Sequence, residues 1–394
     1  MRRDAVYVVL FTLIGIALLF LHGPAWGAEV SPAAAASMDI EAGVTSNGAE
    51  SPIGIDDFYL RQSHTLEFSG EDAGLSLRGT LSFTQTAFRR EDFENDQSLG
   101  AELSWGRQVS PDWLLRGSLA LRAGSIGDDV AVGGFYLATR TLRRDVSAGI
   151  EAIHAAGDDL WRFALAYAGT LYGAAEFPDL PLPPTKLQAE VHGITGAAVW
   201  QRVLGSAGTL LAGLEVQAVI VPEADQAALG HLPSARLRGS VGYQADFGFW
   251  QFGGALGGDI VVSADDGSRY LAPYTEATLT LPLGDTISLS VNGAMSVDLI
   301  DAIDGFASFD RRAGIDAAVD LGRNVRFTAG AGMLWRRGVR DASFRFDEAS
   351  LSAGLSGALA GAWRWRLVLD RLRHREAGND YDADGFGLGI SGRI

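Results

Sequence analysis

The chain contains no cysteine and a single lysine, Lys186, so arginine carries almost all of its basic charge. Without cysteine there is no disulfide scaffold, no thiolate zinc site and no cysteine nucleophile. Charged residues are scarce as well, at 20% of 394 residues against 47% hydrophobic, which excludes a disordered chain and a coiled coil. The formal net charge of −16 argues against a general nucleic-acid binder, which needs clustered Lys and Arg on the phosphates. Catalytic signatures are missing too. There is no G-x-S-x-G elbow, no H-E-x-x-H helix and no phosphate-cradling glycine loop. Beyond the leader described below, the histidines are His64, His154, His192, His231 and His374, with no recognisable nucleophile beside them. The expectation is a non-enzyme with no catalytic residues, cofactor or resident metal.

What is present begins with an export signal. Arg2 and Arg3 precede an unbroken apolar run from Ala5 to Leu21, broken by His22, Gly23 and Pro24. Ala25-Trp26-Gly27 then offers small residues at −3 and −1 of a cleavage site. Basic, apolar, breaker, small-x-small is the order of a secretory signal peptide, here residues 1–27. Its removal takes away Arg2, Arg3 and Asp4, a net +1, so the formal charge moves from −16 to −17.

Residues 28–60 read as a flexible, acidic, periplasmic lead-in. They hold the run Ala33–Ala36 and six acids, Glu29, Asp39, Glu41, Glu50, Asp56 and Asp57, with no base. No period of 2 or 3.6 stands out.

Downstream, residues 61–394 read as one all-β domain, because from about Leu75 the period becomes two. Leu75, Leu77, Gly79, Leu81 and Phe83 alternate with Ser76, Arg78, Thr80 and Ser82. Ile287, Leu289, Val291, Gly293, Met295 and Val297 alternate with Ser288, Ser290, Asn292, Ala294 and Ser296. The pattern returns at 99–105, 115–121, 161–167, 237–243 and 363–369. Successive strand side chains point to opposite faces, so each segment has one greasy face. In these segments the greasy face carries no charge, while the other holds Arg78, Glu102, Arg116, Arg162, Arg238, Arg364 and Arg366.

A soluble sandwich would also alternate. The export signal, the many strands without intervening helices and the aromatics near strand ends (Trp105, Trp113, Trp161, Tyr167, Tyr243, Trp363, Trp365) favour greasy residues facing lipid. Closure into a barrel would satisfy every backbone N–H and C=O without water. The expected fold is a transmembrane, antiparallel, up-and-down β-barrel.

The final strand adds a specific likeness. Phe386, Leu388, Ile390, Gly392 and Ile394 alternate with Gly387, Gly389, Ser391 and Arg393 to the chain end. This resembles the terminal strand of Gram-negative outer-membrane β-barrel (porin-like) proteins, although that family usually ends on an aromatic residue. The resemblance implies recognition of this strand by the barrel-assembly machinery, contact with outer-membrane lipid and lipopolysaccharide, both termini on the periplasmic side, and short periplasmic turns opposite longer outer loops. It names no subfamily, and homo-oligomerisation stays open.

Turn signals at Ala360–Ala362, Gly322–Asn324, Gly284–Asp285 and Asp246–Phe247 alternate with longer polar loops at 373–384, 336–347, 298–310, 263–269, 222–234 and 171–185. Carried to the start, the alternation leaves about 17 strands. Single-chain bacterial barrels are even-numbered, so the expectation is about 16, within 14–18.

Seven arginines are expected to line the lumen: Arg78, Arg116, Arg162, Arg238, Arg326, Arg364 and Arg366. Fixed positive charge there would favour anions in a pore, whereas pairing with Glu102, Glu151, Asp316 or Asp320 would make the same arginines polar filling. Asp380-x-Asp382-x-Asp384-Gly385 matches the opening of a calcium loop, but Ser391 stands where a bidentate Glu belongs. Acidic residues at Asp128-Asp129, Asp265-Asp266, Asp298, Asp301 and Asp304 read as solvated outer loops. The expected function is a porin-like channel for small hydrophilic solutes. The alternatives are a non-conducting surface or scaffold barrel, or an exporter subunit opened by a partner, with a soluble secreted protein third.

Overall fold

The computed structural model describes residues 33–47, 54–72, 74–90, 92–132, 135–178, 180–322, 324–376 and 380–393. The proposed signal peptide, residues 1–27, lies outside them, as does Ile394. Eighteen strands form one sheet. In chain order they are β1 (Ala33–Thr45), β2 (Asp57–Asp72), β3 (Leu75–Phe88), β4 (Asp96–Ser110), β5 (Trp113–Val132), β6 (Phe135–Ala156), β7 (Asp159–Tyr172), β8 (Val191–Val203) and β9 (Thr209–Ile220). There follow β10 (Ser234–Asp246), β11 (Gln251–Ser263), β12 (Arg269–Leu283), β13 (Ile287–Asp298), β14 (Ser308–Gly322), β15 (Val325–Gly338), β16 (Arg345–Ala358), β17 (Trp363–Glu376) and β18 (Tyr381–Arg393). A one-turn-plus helix, α1 (Glu223–Leu229), lies between β9 and β10. Each strand pairs antiparallel with its neighbours in sequence, and β1 also pairs with β18, so the sheet closes into an up-and-down barrel.

Two expectations need correction. The barrel has eighteen strands, not about sixteen, and it begins at Ala33, inside the stretch 28–60 read as a flexible lead-in. β1 escapes a sequence reading because alanine occupies both faces. Ala34, Ala36, Met38, Ile40, Ala42 and Val44 form one face; Ala33, Ala35, Ser37, Asp39, Glu41, Gly43 and Thr45 form the other. The missing strand accounts for the odd count.

Connections after even-numbered strands are short, and those after odd-numbered strands are generally longer. Ala33 and Arg393 therefore lie together at the short-turn end. β5 and β6 are the longest strands, at 20 and 22 residues, and Asp128 sits on β5 instead of in a loop.

Register fixes which side chains share a face. Arg78, Glu102, Arg116, Glu151 and Ala164 fall on one face of successive strands, and the same face continues through Thr195, Glu215, Arg238 and Asp259. This face also carries Val191, Val219 and Val261, which pack together on β8, β9 and β11 with the connection 299–307. A connection leaving β13 can reach those strands together only through the barrel interior, so this face is the lumen. The opposite face carries Leu165, Leu214, Val241, Leu256, Leu351 and Leu388, all exposed. An apolar surface of that extent around a polar interior is the inverse of a soluble sandwich. Trp105, Trp113, Trp161, Trp363 and Trp365 gather toward the short-turn end, as an interfacial girdle does; Tyr167 lies instead toward the other end.

The closing seam is built from side chains of β17, β18, β1 and β2. Arg366 passes over β18 to bind Asp39 (2.7 Å) and Glu41 (2.8 and 3.0 Å) on β1. Gly43 and Gly387 face each other across the seam, and the Tyr59 ring fills the space they leave. Its hydroxyl donates to Glu41 at 3.0 Å. A Cβ on Gly43 would stand 2.6 Å from the Tyr59 ring and would also meet the Phe386 carbonyl, a backbone atom that cannot swing aside.

Gly43→Val should therefore strain the closing pair by about 1–3 kcal/mol. The expected outcome is a lower urea midpoint for loss of the heat-modifiable gel form, while Gly196→Ala, where nothing lies within 4 Å, leaves it unchanged.

Candidate functional site: the charged lumen and its inward tip

All seven sequence-predicted arginines point to the lumen, but they do not form one set. Arg78, Arg116, Arg162, Arg326 and Arg364 lie near the short-turn ends of β3, β5, β7, β15 and β17, with Arg366 just above. Arg238 stands apart, toward the long-loop end of β10. Arg116 approaches Glu151 at 3.8 Å, Arg366 is held by Asp39 and Glu41, and Arg238 makes two bonds to Asp259 (2.8 and 3.1 Å). Among the described residues Arg78, Arg162, Arg326 and Arg364 form no ion pair, and the Arg162 Nε is buried without a partner. Of the four acids expected as partners, only Glu151 is used.

The second feature is a departure from the wall. β12 pairs with β11 as far as Arg269, but with β13 only from Leu283 to Thr275. Residues 269–274 of β12 thus have no β13 partner, while 296–298 of β13 stay paired to β14. The tip of the β13–β14 hairpin has left the cylinder and folded inward. Val297, Leu299, Phe306 and Phe309 are buried against Val191, Val219 and Val261 on the inner wall. Ile300 reaches β8, where a Cβ on Gly193 would lie 3.3 Å from its Cδ1.

Leaving a sheet orphans backbone groups, and buried orphans are costly. Here wall side chains replace the lost ladder at Val297. Its N–H donates to Asp259 Oδ2 (3.3 Å), and its carbonyl accepts from Arg236, which also pairs with Glu215. Asp259 is in turn held by Arg238, whose guanidinium lies 4.0 Å from the Tyr274 ring centroid. Arg238 is therefore a support for the tip more than free pore charge.

Neighbouring outer connections tie the tip down. Asp304 accepts backbone N–H bonds from Phe306 (3.0 Å), Ala307 (2.9 Å), Arg340 (2.8 Å) and Asp341 (3.2 Å). The Leu232 N–H donates to the Gly305 carbonyl at 2.6 Å. Lys186 binds Asp225 on α1 at 2.7 Å and Glu190 at 3.1 Å. Beneath the tip, Asp310 takes two bonds from Arg336 (2.7 Å each) and one from Arg312 (2.9 Å). Asp301 lies within electrostatic reach of Arg143 on β6, far around the barrel, and of Arg336. The result is a narrowed passage edged by both signs of charge.

Sequence reading placed Asp298, Asp301 and Asp304 in a solvated loop and did not single out Arg236, Asp259, Asp310 or Arg336. One signal was available: the connection Leu299-Ile300-Asp301-Ala302-Ile303-Asp304-Gly305-Phe306-Ala307 is greasier than a solvated outer loop requires. The calcium-loop pattern dissolves for a structural reason. Asp382 and Asp384 lie on β18, where their carboxylates face Arg371, Arg373 and Arg375 instead of converging on a cation.

An apolar exterior, a polar lumen and a closed antiparallel sheet define a transmembrane β-barrel. No protein-family model and no curated protein matches the chain. Solved structures do match it. The copper transporter OprC is similar at 11% identity, with 93% of this chain and 81% of that one covered and a TM-score of 0.55. OccK2 (OpdF) of Pseudomonas aeruginosa is similar at 13% identity, 92% and 98% coverage and a TM-score of 0.51. The ferric enterobactin receptor PfeA of the same organism, solved with enterobactin, gives 8% identity, 92% and 81% coverage and a TM-score of 0.51. The chain has the fold of Gram-negative outer-membrane β-barrel proteins.

Two outcomes follow from the inward tip. Asp259→Ala strands the buried Arg238 and frees the Val297 N–H, at a cost of about 3–5 kcal/mol. Single-channel recording should show larger, noisier openings than wild type. The second concerns His231, in the connection 221–233, whose Nε2 is buried without a hydrogen-bond partner. Burial holds its pKa below the ordinary 6.5, opposed in part by Asp304. The neutral ring suits the packed loops, so its contribution is complete above pH 6.5 and declines as pH falls below it. Loop-driven current fluctuations should increase as pH falls below 6.5, and His231→Phe should suppress that increase.

Proposed function

We propose that this chain forms a water-filled channel for small hydrophilic solutes across the outer membrane of a Gram-negative bacterium. The observation that carries the reading is a closed barrel of eighteen strands whose lumen, among the described residues, holds a loop tip but no inserted domain. Barrels of about 16–18 strands leave an aqueous channel, whereas plugged transporters use about 22. The shared length agrees with this: the match spans 98% of OccK2 but 81% of OprC and of PfeA.

In this reading solutes pass the ring of arginines near the short-turn end and the mixed-charge constriction beside the tip. Arg78, Arg162, Arg326 and Arg364 supply net positive field at the ring, because no acid neutralises them directly, so anions are preferred there. Arg366 contributes less, since Asp39 and Glu41 compensate it. The protein is exported by residues 1–27 as a cleaved signal peptide and assembled through β18, whose Phe386, Leu388 and Ile390 face outward. It has no catalytic role, and the histidines are dispersed, His192 with Tyr167 and His154 against Trp113. A second reading, a barrel opened only by a partner, draws support from the apolar packing that holds the tip inside.

Planar-bilayer recording of the refolded protein in a salt gradient separates the two. Discrete steps with anion preference are expected, with the combined variant Arg78→Ser, Arg326→Ser and Arg364→Ser moving the reversal potential toward zero. Arg366→Ser, which uncovers two carboxylates, should move it further toward cations. A correctly folded but silent barrel would favour the partner-opened reading.

A further inference from the structure

The outer face of β14, β15 and β16 carries a cluster of arginines that the channel reading does not use. Outward-facing residues on β14 run Leu321, Val319, Ala317, Ile315 and Ala313 before reaching Arg311. On β15 they run from Val325 through Phe327, Ala329, Ala331 and Met333 to Trp335, and then Arg337. On β16 they run Leu355, Ala353, Leu351 and Ala349 before Asp347 and Arg345. The runs on β14 and β15 match the roughly 9–11 residues that a tilted strand needs to cross hydrocarbon, and that on β16 is shorter. The arginines therefore begin where hydrocarbon ends, at the long-loop side, with Trp335 at the boundary.

Register brings them together. Phe309 lies opposite Arg337, which lies opposite Arg345; Arg311 lies opposite Trp335, which lies opposite Asp347. The guanidiniums of Arg311 and Arg337 sit 5.4 and 5.3 Å from the Phe309 ring centroid. With Asp347 and Arg336 they line a cleft of about 360 Å³ at the long-loop ends of β14, β15 and β16, at the edge of the buried Phe309. Among the described residues, Arg311, Arg337 and Arg345 form no ion pair, although Arg371, Arg373 and Arg375 on the adjacent β17 are all matched by Asp382 or Asp384. Three guanidiniums without an ion pair share the cleft with one carboxylate, Asp347, so the cleft keeps a net positive charge that an anion would relieve. Guanidinium forks suit phosphate oxygens, and the acyl chains of a phosphorylated lipid would lie along the apolar runs directly below.

We infer that Arg311, Arg337 and Arg345 form a binding site for the phosphate groups of the outer-leaflet glycolipid, lipid A. The assignment rests on the outer-membrane placement with the long loops facing out, and not on conduction. The Phe309 ring holds the guanidiniums of Arg311 and Arg337 in place, so the cleft is organised before lipid binds.

Native mass spectrometry of the detergent-refolded barrel tests this, with diphosphoryl lipid A, the same lipid without phosphates, and inorganic pyrophosphate as probes. Charge-assisted contacts worth about 1.5–3 kcal/mol predict at least about tenfold weaker retention of the dephosphorylated lipid. The combined variant R311Q/R337Q/R345Q should abolish that difference. R345Q, at the exposed edge, should reduce it even if the triple variant folds poorly, and R371Q should leave it intact. Equal retention of both lipids by the wild type, or unchanged discrimination in R345Q and the triple variant, would overturn the site. Pyrophosphate competing as well as lipid A does would replace it with a free-anion site. Conductance of R345Q should match wild type, so loss of lipid discrimination and loss of the channel reading are separately visible.

Discussion

A backbone immersed in hydrocarbon has no water to bond, so every N–H and C=O must find a partner within the protein. In this chain that requirement is met by pairing β1 with β18, and the rest of the architecture follows from the closure. The pair needs the glycines Gly43 and Gly387 to face each other with Tyr59 laid across them, and it needs Arg366 to reach Asp39 and Glu41. The acids near the N-terminus are thus structural counter-charges inside the lumen.

The same requirement explains the one place where the wall is broken. The tip of β13 and β14 leaves β12 and would abandon its ladder bonds, yet Asp259 and Arg236 take the place of the missing strand at Val297. Arg238, which a sequence reading assigns to solute selection, is at this level of the barrel spent on holding Asp259, which in turn holds the backbone of Val297. The apolar side chains of 299–307 then cover the inner wall, and Asp304 binds the next connection to them. A constriction built this way is stable only while its buried charges stay paired.

The division of labour among arginines is therefore geometric. Those near the short-turn end face water in the lumen with few acids beside them; Arg238 and Arg336 are committed to buried carboxylates and Arg236 to the half-buried Glu215; Arg311, Arg337 and Arg345 look outward just beyond the apolar band. One residue type serves solute field, internal scaffolding and lipid contact because its fork pairs with carboxylate, carbonyl or phosphate alike.

The sequence alone determined the period of two, the uncharged face and the short turns, because alternation and turn chemistry are local properties. It therefore delivered a barrel with lipid outside, and it placed Arg78, Arg116, Arg162, Arg326, Arg364 and Arg366 on the lumenal face. It could not show β1, since alanine on both faces erases the alternation that marks a strand. Nor could it show that Arg238 serves Asp259, that Asp304 joins two connections, or that 299–307 turns inward. Those outcomes depend on which residues meet across the lumen, and distance along the chain carries no trace of that. Only closure of the eighteen strands decided it, by bringing the greasy tip of one hairpin within reach of valines on β8, β9 and β11.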